Sequence, residues 1–118
     1  MLVLHLPDEE LEKYWSAALA DYLGGDTEIT VNGGRIDVLT DIYAIEVDRM
    51  DKWHEAIGQS VHYASQTGRT PCVAIILPSK SLPLGNTTLE KLVLIDKTCL
   101  EKGIKLVLLR NTPDSPSS

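Results

Sequence analysis

Arg35-Ile-Asp-Val-Leu-Thr-Asp-Ile-Tyr-Ala-Ile-Glu-Val47 is the stretch that decides the fold. Apolar side chains alternate with other residues on both sides of a short Thr40-Asp41 break, a pattern that predicts two antiparallel strands joined by a tight turn. Asp37 and Glu46 each stand between two β-branched residues, so each carboxylate is predicted to project from the face opposite its apolar neighbours. Two carboxylates on adjacent strands can therefore converge.

The flanking sequence predicts an α/β domain of order αβββαβαβ, with a mixed sheet and helices on both faces. Residues 1–110 are predicted to form a single domain, and the Pro- and Ser-rich residues 111–118 a disordered tail. The remaining predicted elements are a helix starting at Pro7-Asp-Glu-Glu10 and ending at Gly24-Gly25, a strand over 28–31, a helix over 48–66, a strand over 72–77, a loop over 78–86, a helix from 87 or 88 to 102, and a strand over 104–109.

Composition limits the choice of function. The 118-residue chain carries a net charge of −6, which argues against a broad electrostatic attraction to a phosphate backbone and leaves that role to local basic residues. No stretch approaches the length of a membrane span, and the first residues are too short for a signal peptide, so a soluble cytoplasmic protein is expected.

Cys72 and Cys99 are predicted to be small buried apolar residues rather than reactive or metal-binding thiols.

The carboxylates allow two interpretations. Either acid alone is more typical of a solvated sheet face, whereas Asp37 and Glu46 together indicate a divalent-metal site with hard oxygen ligands. Asp48 shares the predicted face of Glu46, so it is a candidate third ligand. It is also a candidate N-cap of the next helix, and the sequence favours the N-cap.

That next helix brings polar side chains onto one face. Lys52, Glu55, Gln59 and Tyr63 fall at helical spacing, and a mainly apolar face opposes them. A solvated helix face and a functional face are equally compatible with this spacing. The predicted apolar face consists of Trp53, Ala56, Ile57, Ser60, Val61 and Ala64.

Three motifs in this order carry a resemblance to a known family. They are Gly34-Arg-Ile-Asp-Val38, Ala44-Ile-Glu-Val-Asp48 and Gln59-Ser-Val-His-Tyr63, and together they resemble the PD-(D/E)xK nuclease superfamily, in its branch with a Q-x-x-x-Y helix. As topology the resemblance covers roughly residues 10–110. It implies that Asp37, Glu46 and the Val47 carbonyl bind metal, and that the glutamine and tyrosine of the third motif position the phosphate and the site.

One position departs from the family pattern. The superfamily places a lysine two residues after the second acid, and this chain has Asp48 there. Lys52, at the start of the following helix, is predicted to supply the missing positive charge. Glu12, on an inward stripe of the first helix, is a further candidate metal ligand, because related nucleases place an acid from that helix near the metal.

The resemblance implies a Mg²⁺- or Mn²⁺-dependent nuclease that hydrolyses phosphodiester bonds of DNA, with Asp37, Glu46, Lys52, Gln59 and Tyr63 as the catalytic set. So small a domain is expected to need a homodimer or another partner for sequence choice. The alternative is a catalytically inactive module of the same fold that binds nucleic acid or protein. The histidines lack metal-ligand spacing and are predicted to have surface or packing roles; they are His5, His54 and His62.

Overall fold

The computed structural model describes residues 2–6, 12–77 and 85–111. Its elements, in chain order, are β1 (Leu2–Leu6), α1 (Glu12–Leu23), β2 (Asp26–Val31), β3 (Gly34–Leu39), β4 (Tyr43–Arg49), a 3₁₀ turn (Met50–Lys52), α2 (Trp53–Thr67), β5 (Thr70–Ile76), α3 (Asn86–Lys102) and β6 (Lys105–Asn111). The predicted helix start at residues 7–10, most of the predicted loop and residues 112–118 of the predicted tail lie outside the described ranges.

The described strands form one mixed sheet in the order β1-β6-β5-β4-β3-β2. The hairpins β2-β3 and β3-β4 are antiparallel, whereas β4, β5, β6 and β1 run parallel to one another. The prediction of an α/β fold with a mixed sheet is therefore confirmed. The predicted element order omitted β1, because five residues without a flanking turn carry too little periodicity, and this strand is defined by its pairing with β6.

Helices cover both faces of the sheet, as predicted. Helix α1 packs on one face through Trp15 and Leu19, against inward residues of the central strands such as Ile45 and Val47. Helices α2 and α3 cover the other face, where Trp53 and Ile95 pack with alternate residues of β5 and β6. Glu46 is buried on the central strand β4, which has a neighbouring strand on each side.

Two predicted boundaries and one predicted face are wrong around β4 and α2. β4 extends to Arg49 and α2 begins at Trp53, so Asp48 belongs to the strand rather than to the helix. Tyr63, predicted on the polar face of the helix, is 5% exposed, and Val61, predicted on the apolar face, is 45% exposed. The helix packs against Ile36 of β3 as well as the central sheet, and that contact shifts its buried face toward Tyr63.

The prediction for the cysteines is confirmed. Cys72 and Cys99 are free thiols buried in different apolar clusters on opposite faces of the sheet. Burial raises the pKa of the Cys72 thiol to about 12 and that of Cys99 to about 11, which disfavours thiolate chemistry at either position. No helix in the described part of the chain is long and apolar enough to cross a membrane.

Candidate functional site

The ladder between β3 and β4 opens at Asp37. The strands pair at Val38 with Ile45, and regular antiparallel pairing would direct the Val47 amide to the carbonyl of Ile36. Instead, the backbone N–H of Val47 donates to Oδ2 of Asp37 at 2.9 Å. The Asp37 carboxylate thus takes the place of a ladder acceptor and is held against β4.

The backbone is also irregular on the other side of Asp37. β2 and β3 pair at Thr27 with Val38 and at Ile29 with Ile36, but the intervening Glu28, opposite Asp37, lies outside the ladder. Glu28 has a φ of 55°, a left-handed conformation that costs a non-glycine residue on the order of 1–3 kcal/mol. Asp37 therefore sits where β3 parts from both neighbouring strands.

The apolar neighbours of Asp37 do not share one core. Val38 packs in the cluster under α1, whereas Ile36 packs with Ala44 and Tyr63 beneath α2. The prediction that both lie on the same face, opposite the carboxylate, is wrong. The alternation of β3 is therefore broken at Asp37, where the carboxylate replaces the ladder acceptor of the Val47 amide.

Asp37 and Glu46 converge, as the alternation predicts. The Glu46 carboxyl is 5% exposed and shares a hydrogen bond with Asp37. Burial, together with the charges of Asp37 and Asp48, raises the pKa of Glu46 to about 9. Burial also raises the pKa of Asp37, partly offset by the Val47 amide, the Glu46 hydrogen bond and the Arg35 charge. With a pKa of about 9, the Glu46 carboxyl keeps its proton at neutral pH.

Asp48 and Glu12 extend this acidic cluster. Asp48 is 7% exposed within β4 and accepts a hydrogen bond from the Arg49 amide at 3.1 Å. The N-cap prediction for Asp48 is wrong, because the strand continues past it. Burial, followed by the charge of Glu12, raises the pKa of Asp48 to about 6. Glu12 Oε1 also lies 4.0 Å from Arg49 Nε, so the first helix brings its acid beside Asp48.

The side chains predicted from the third motif lie in different environments. Lys52 is exposed on the 3₁₀ turn, and its charge partly offsets the raised pKa of Asp48. Gln59 is exposed on α2. The buried Tyr63 packs its ring and hydroxyl against Gly34, leaving no room for a Cβ at that position. The structure thus uses Tyr63 to hold the start of β3.

Within residues 2–6, 12–77 and 85–111, no three His, Cys, Asp or Glu side chains form a group that could hold an ion. The candidate centre is therefore the Asp37 and Glu46 pair, with the Val47 carbonyl as the further predicted ligand. The described contacts of the histidines fit packing roles: His54 stacks on Trp53 with ring centroids 3.7 Å apart, and His62 Nε2 lies 2.7 Å from the Asn32 carbonyl.

Sequence reasoning missed a cleft that adjoins the pair. Its volume is about 450 Å³, and it lies between α1 and the β2-β3 hairpin. Arg35 lines this cleft and was not predicted as a site residue. Its position two residues before Asp37 on the same strand could have indicated it, because residues at this spacing in a strand face the same side. The lining residues are Glu12, Lys13, Tyr14, Ser16, Ala17, Thr27, Glu28, Arg35 and Asp37.

Comparison with known proteins identifies partial relatives. No family model and no solved structure matches the chain. Two putative KilA-N domain-containing proteins of Acanthamoeba polyphaga mimivirus, L32 and L33, are each 32% identical to it, over 76 and 101 residues. These matches cover 63% and 84% of this chain, which spans 20% and 37% of the length of the two relatives. The chain is therefore similar to one part of each protein, and its nuclease resemblance stays a prediction.

Proposed function

We propose that this domain binds DNA and cleaves a phosphodiester bond at a divalent-cation centre formed by Asp37 and Glu46. The observation that carries the proposal is the carboxylate pair of Asp37 and Glu46, in which the Val47 amide holds Asp37 where the β3-β4 ladder opens. Such a pair is costly for stability unless it has a charge partner, and perturbed acids of this kind concentrate at functional sites. The similarity to KilA-N domain-containing proteins supports the DNA-binding part of the proposal.

The residues present fit Mg²⁺ or Mn²⁺, because both side chains offer hard carboxylate oxygens. A cation bound there supplies Lewis acidity toward a phosphoryl oxygen and lowers the pKa of a water ligand. The chain's own contribution is positional: the Val47 amide fixes one oxygen of Asp37, which leaves the rest of that carboxylate directed toward Glu46. Lys52, exposed on the turn that follows β4, is proposed to stabilise negative charge that develops on a phosphate.

A second candidate function is DNA binding without cleavage. The similarity to KilA-N domain-containing proteins favours it over catalysis, and so does Asp48 at the position where the nuclease pattern has a lysine. The net charge of −6 counts against extensive phosphate contact in either case. A binding module would need no cation at the acidic pair, and this separates the two candidates.

The test combines cleavage with a metal-binding measurement. Wild-type protein is incubated with single-stranded and duplex DNA in Mg²⁺, Mn²⁺ or EDTA, alongside Glu46→Gln. We expect the wild type to cleave DNA with Mg²⁺ or Mn²⁺ and not with EDTA. The cleavage rate of Glu46→Gln should be lower by at least about 100-fold, since a neutral amide is a poor ligand for a hard cation. Glu101→Gln, on the exposed side of α3, is the matched control and should keep wild-type activity.

Thermal unfolding gives a readout that does not depend on turnover. Millimolar Mg²⁺ or Mn²⁺ should raise the Tm of the wild type and of Glu101→Gln, and should leave Glu46→Gln unchanged. DNA binding with no metal-linked stabilisation and no cleavage would establish the second candidate instead.

A further inference from the structure

The cleft between α1 and the β2-β3 hairpin has the dimensions of a small-ligand site. Its volume of about 450 Å³ lies within the range of about 300–1,000 Å³ for such sites. Asp37 lines the cleft and at the same time contacts Glu46, so the cavity opens directly beside the acidic pair. A group bound in the cleft is therefore adjacent to a phosphate placed at that pair.

The irregular backbone of β2 shapes the floor of this cleft. Glu28 and Thr27 line it, and Glu28 has the left-handed φ of 55° at the point where it leaves the β2-β3 ladder. A regular strand would continue its pairing with β3 at this position. The strain is thus located at a cavity wall next to the site, which is where stored strain most often serves a function.

The cleft is lined by two cations, Lys13 and Arg35, by the exposed ring of Tyr14, and by the carboxylates of Glu12, Glu28 and Asp37. Tyr14 is 47% exposed, and the Lys13 ammonium lies 5.1 Å from the centroid of its ring. Arg35 lies across the cleft on β3, and Asp37 of the same strand also lines the cleft. Aromatic faces bind unpaired bases by stacking, and Lys and Arg bind phosphates. A base inside a duplex is already stacked, so its face cannot reach the ring.

We propose that this cleft binds an unpaired nucleotide next to the phosphate at the acidic pair, with its base stacked on Tyr14 and its phosphates contacted by Lys13 and Arg35. The inference rests on the proposed function for the role of the neighbouring phosphate. It adds the substrate class, which is DNA with a single-stranded segment or end. The selectivity for single-stranded over duplex DNA comes from the tyrosine ring, because the two cations can contact the phosphates of both forms.

Binding in EDTA tests this proposal separately from cleavage. Fluorescence anisotropy is measured with a labelled oligothymidylate and with a duplex of the same length. Wild-type protein should bind the single strand more tightly. Tyr14→Ala should weaken single-strand binding about tenfold, as expected for the loss of one stacked base, and leave duplex binding unchanged. Tyr14→Phe, which keeps the ring, should retain single-strand affinity.

Matched variants control for charge and for surface aromatics. Tyr22→Ala removes another exposed tyrosine of α1 outside the cleft and should bind as the wild type does. Arg35→Ala should weaken binding of both DNA forms, whereas Lys97→Ala on α3 should not. Equal affinity of Tyr14→Ala and wild type for the single strand would overturn the proposal, and so would a wild-type preference for duplex or no binding at all. Absence of metal-dependent cleavage alongside the expected binding would remove the nuclease assignment and leave the nucleotide site intact.

Discussion

At the residue scale, Glu46 determines how the site responds to pH. Its neutral form is favoured in the folded protein because the carboxyl is buried and flanked by Asp37 and Asp48. In the unfolded chain the same group ionises near its ordinary pKa of 4.5. The folded state therefore holds a proton that the unfolded state releases, and folding is favoured at low pH over this interval.

We expect the Tm in EDTA to fall as pH rises from about 4.5 toward about 9, the window between the unfolded and folded pKa of Glu46. Asp48 adds a contribution of the same sign below its folded pKa of about 6. Glu46→Gln, which mimics the neutral carboxyl, should flatten the dependence between pH 6 and 9, and Glu101→Gln should follow the wild type. Calorimetric scans at several pH values give the slope of Tm against pH for each protein. A Tm that rises across pH 6–9 in the wild type would contradict the pKa assignment.

At the element scale, the start of β3 is held by a contact between helix and strand. Gly34 has a φ of 157° and lies against the Tyr63 hydroxyl and ring, so α2 packs onto bare backbone there. His62, the neighbouring helical residue, adds its hydrogen-bond contact with the Asn32 carbonyl in the β2-β3 turn. These contacts fix the direction in which β3 leaves the hairpin toward Asp37.

Gly34→Ala should destabilise the protein by about 2 kcal/mol or more, because the new methyl group overlaps Tyr63 and the backbone conformation disfavours a side chain. Adding Tyr63→Phe removes the atom nearest to the new methyl group. The double variant should therefore lose less stability than the sum of the losses in Gly34→Ala and Tyr63→Phe. Urea unfolding measures all three. Gly58→Ala on α2, where a Cβ meets open space, should instead stabilise by about 0.5–1 kcal/mol. Strictly additive losses at Gly34 and Tyr63 would show that this contact carries no coupling.

At the scale of the whole molecule, β1 completes the parallel half of the sheet. It pairs with β6 along its length, and Leu4 packs with Trp15 and Leu19 of α1. The strand thus covers the edge of β6 and one end of the core under α1. Through α1 it also supports Glu12 and the cleft wall.

Leu4→Ala should reduce the free energy of unfolding by about 2–4 kcal/mol, the usual cost of truncating a buried leucine. Val3→Ala, on the exposed side of the same strand, should cost less than about 1 kcal/mol. Urea unfolding curves, fitted with one m-value for all variants, give both changes in the free energy of unfolding. Equal small effects at the two positions would mean that β1 contributes little to the stability of the domain.

The sequence by itself determined the features that depend on local periodicity. Alternation over Arg35 to Val47 predicted adjacent strands carrying Asp37 and Glu46, and these carboxylates do meet. Helical spacing and glycine stops likewise predicted α1, α2 and α3 and the mixed α/β sheet. Apolar residues recur every two residues in a strand and every three to four in a helix, so short stretches of sequence are enough to predict where these elements form.

Only the tertiary structure decided the features that depend on partners distant in sequence. β1 exists as a strand because β6 pairs with it, and Tyr63 is buried because it packs with Ile36 of β3 and Ala44 of β4. The break in the strand ladder at Asp37 separates the core contacts of Ile36 and Val38, and the packing of α1 beside the β2-β3 hairpin places Arg35 in a cleft. Twist and packing are set by the sum of many contacts across the sheet, and no local pattern in the chain encodes them.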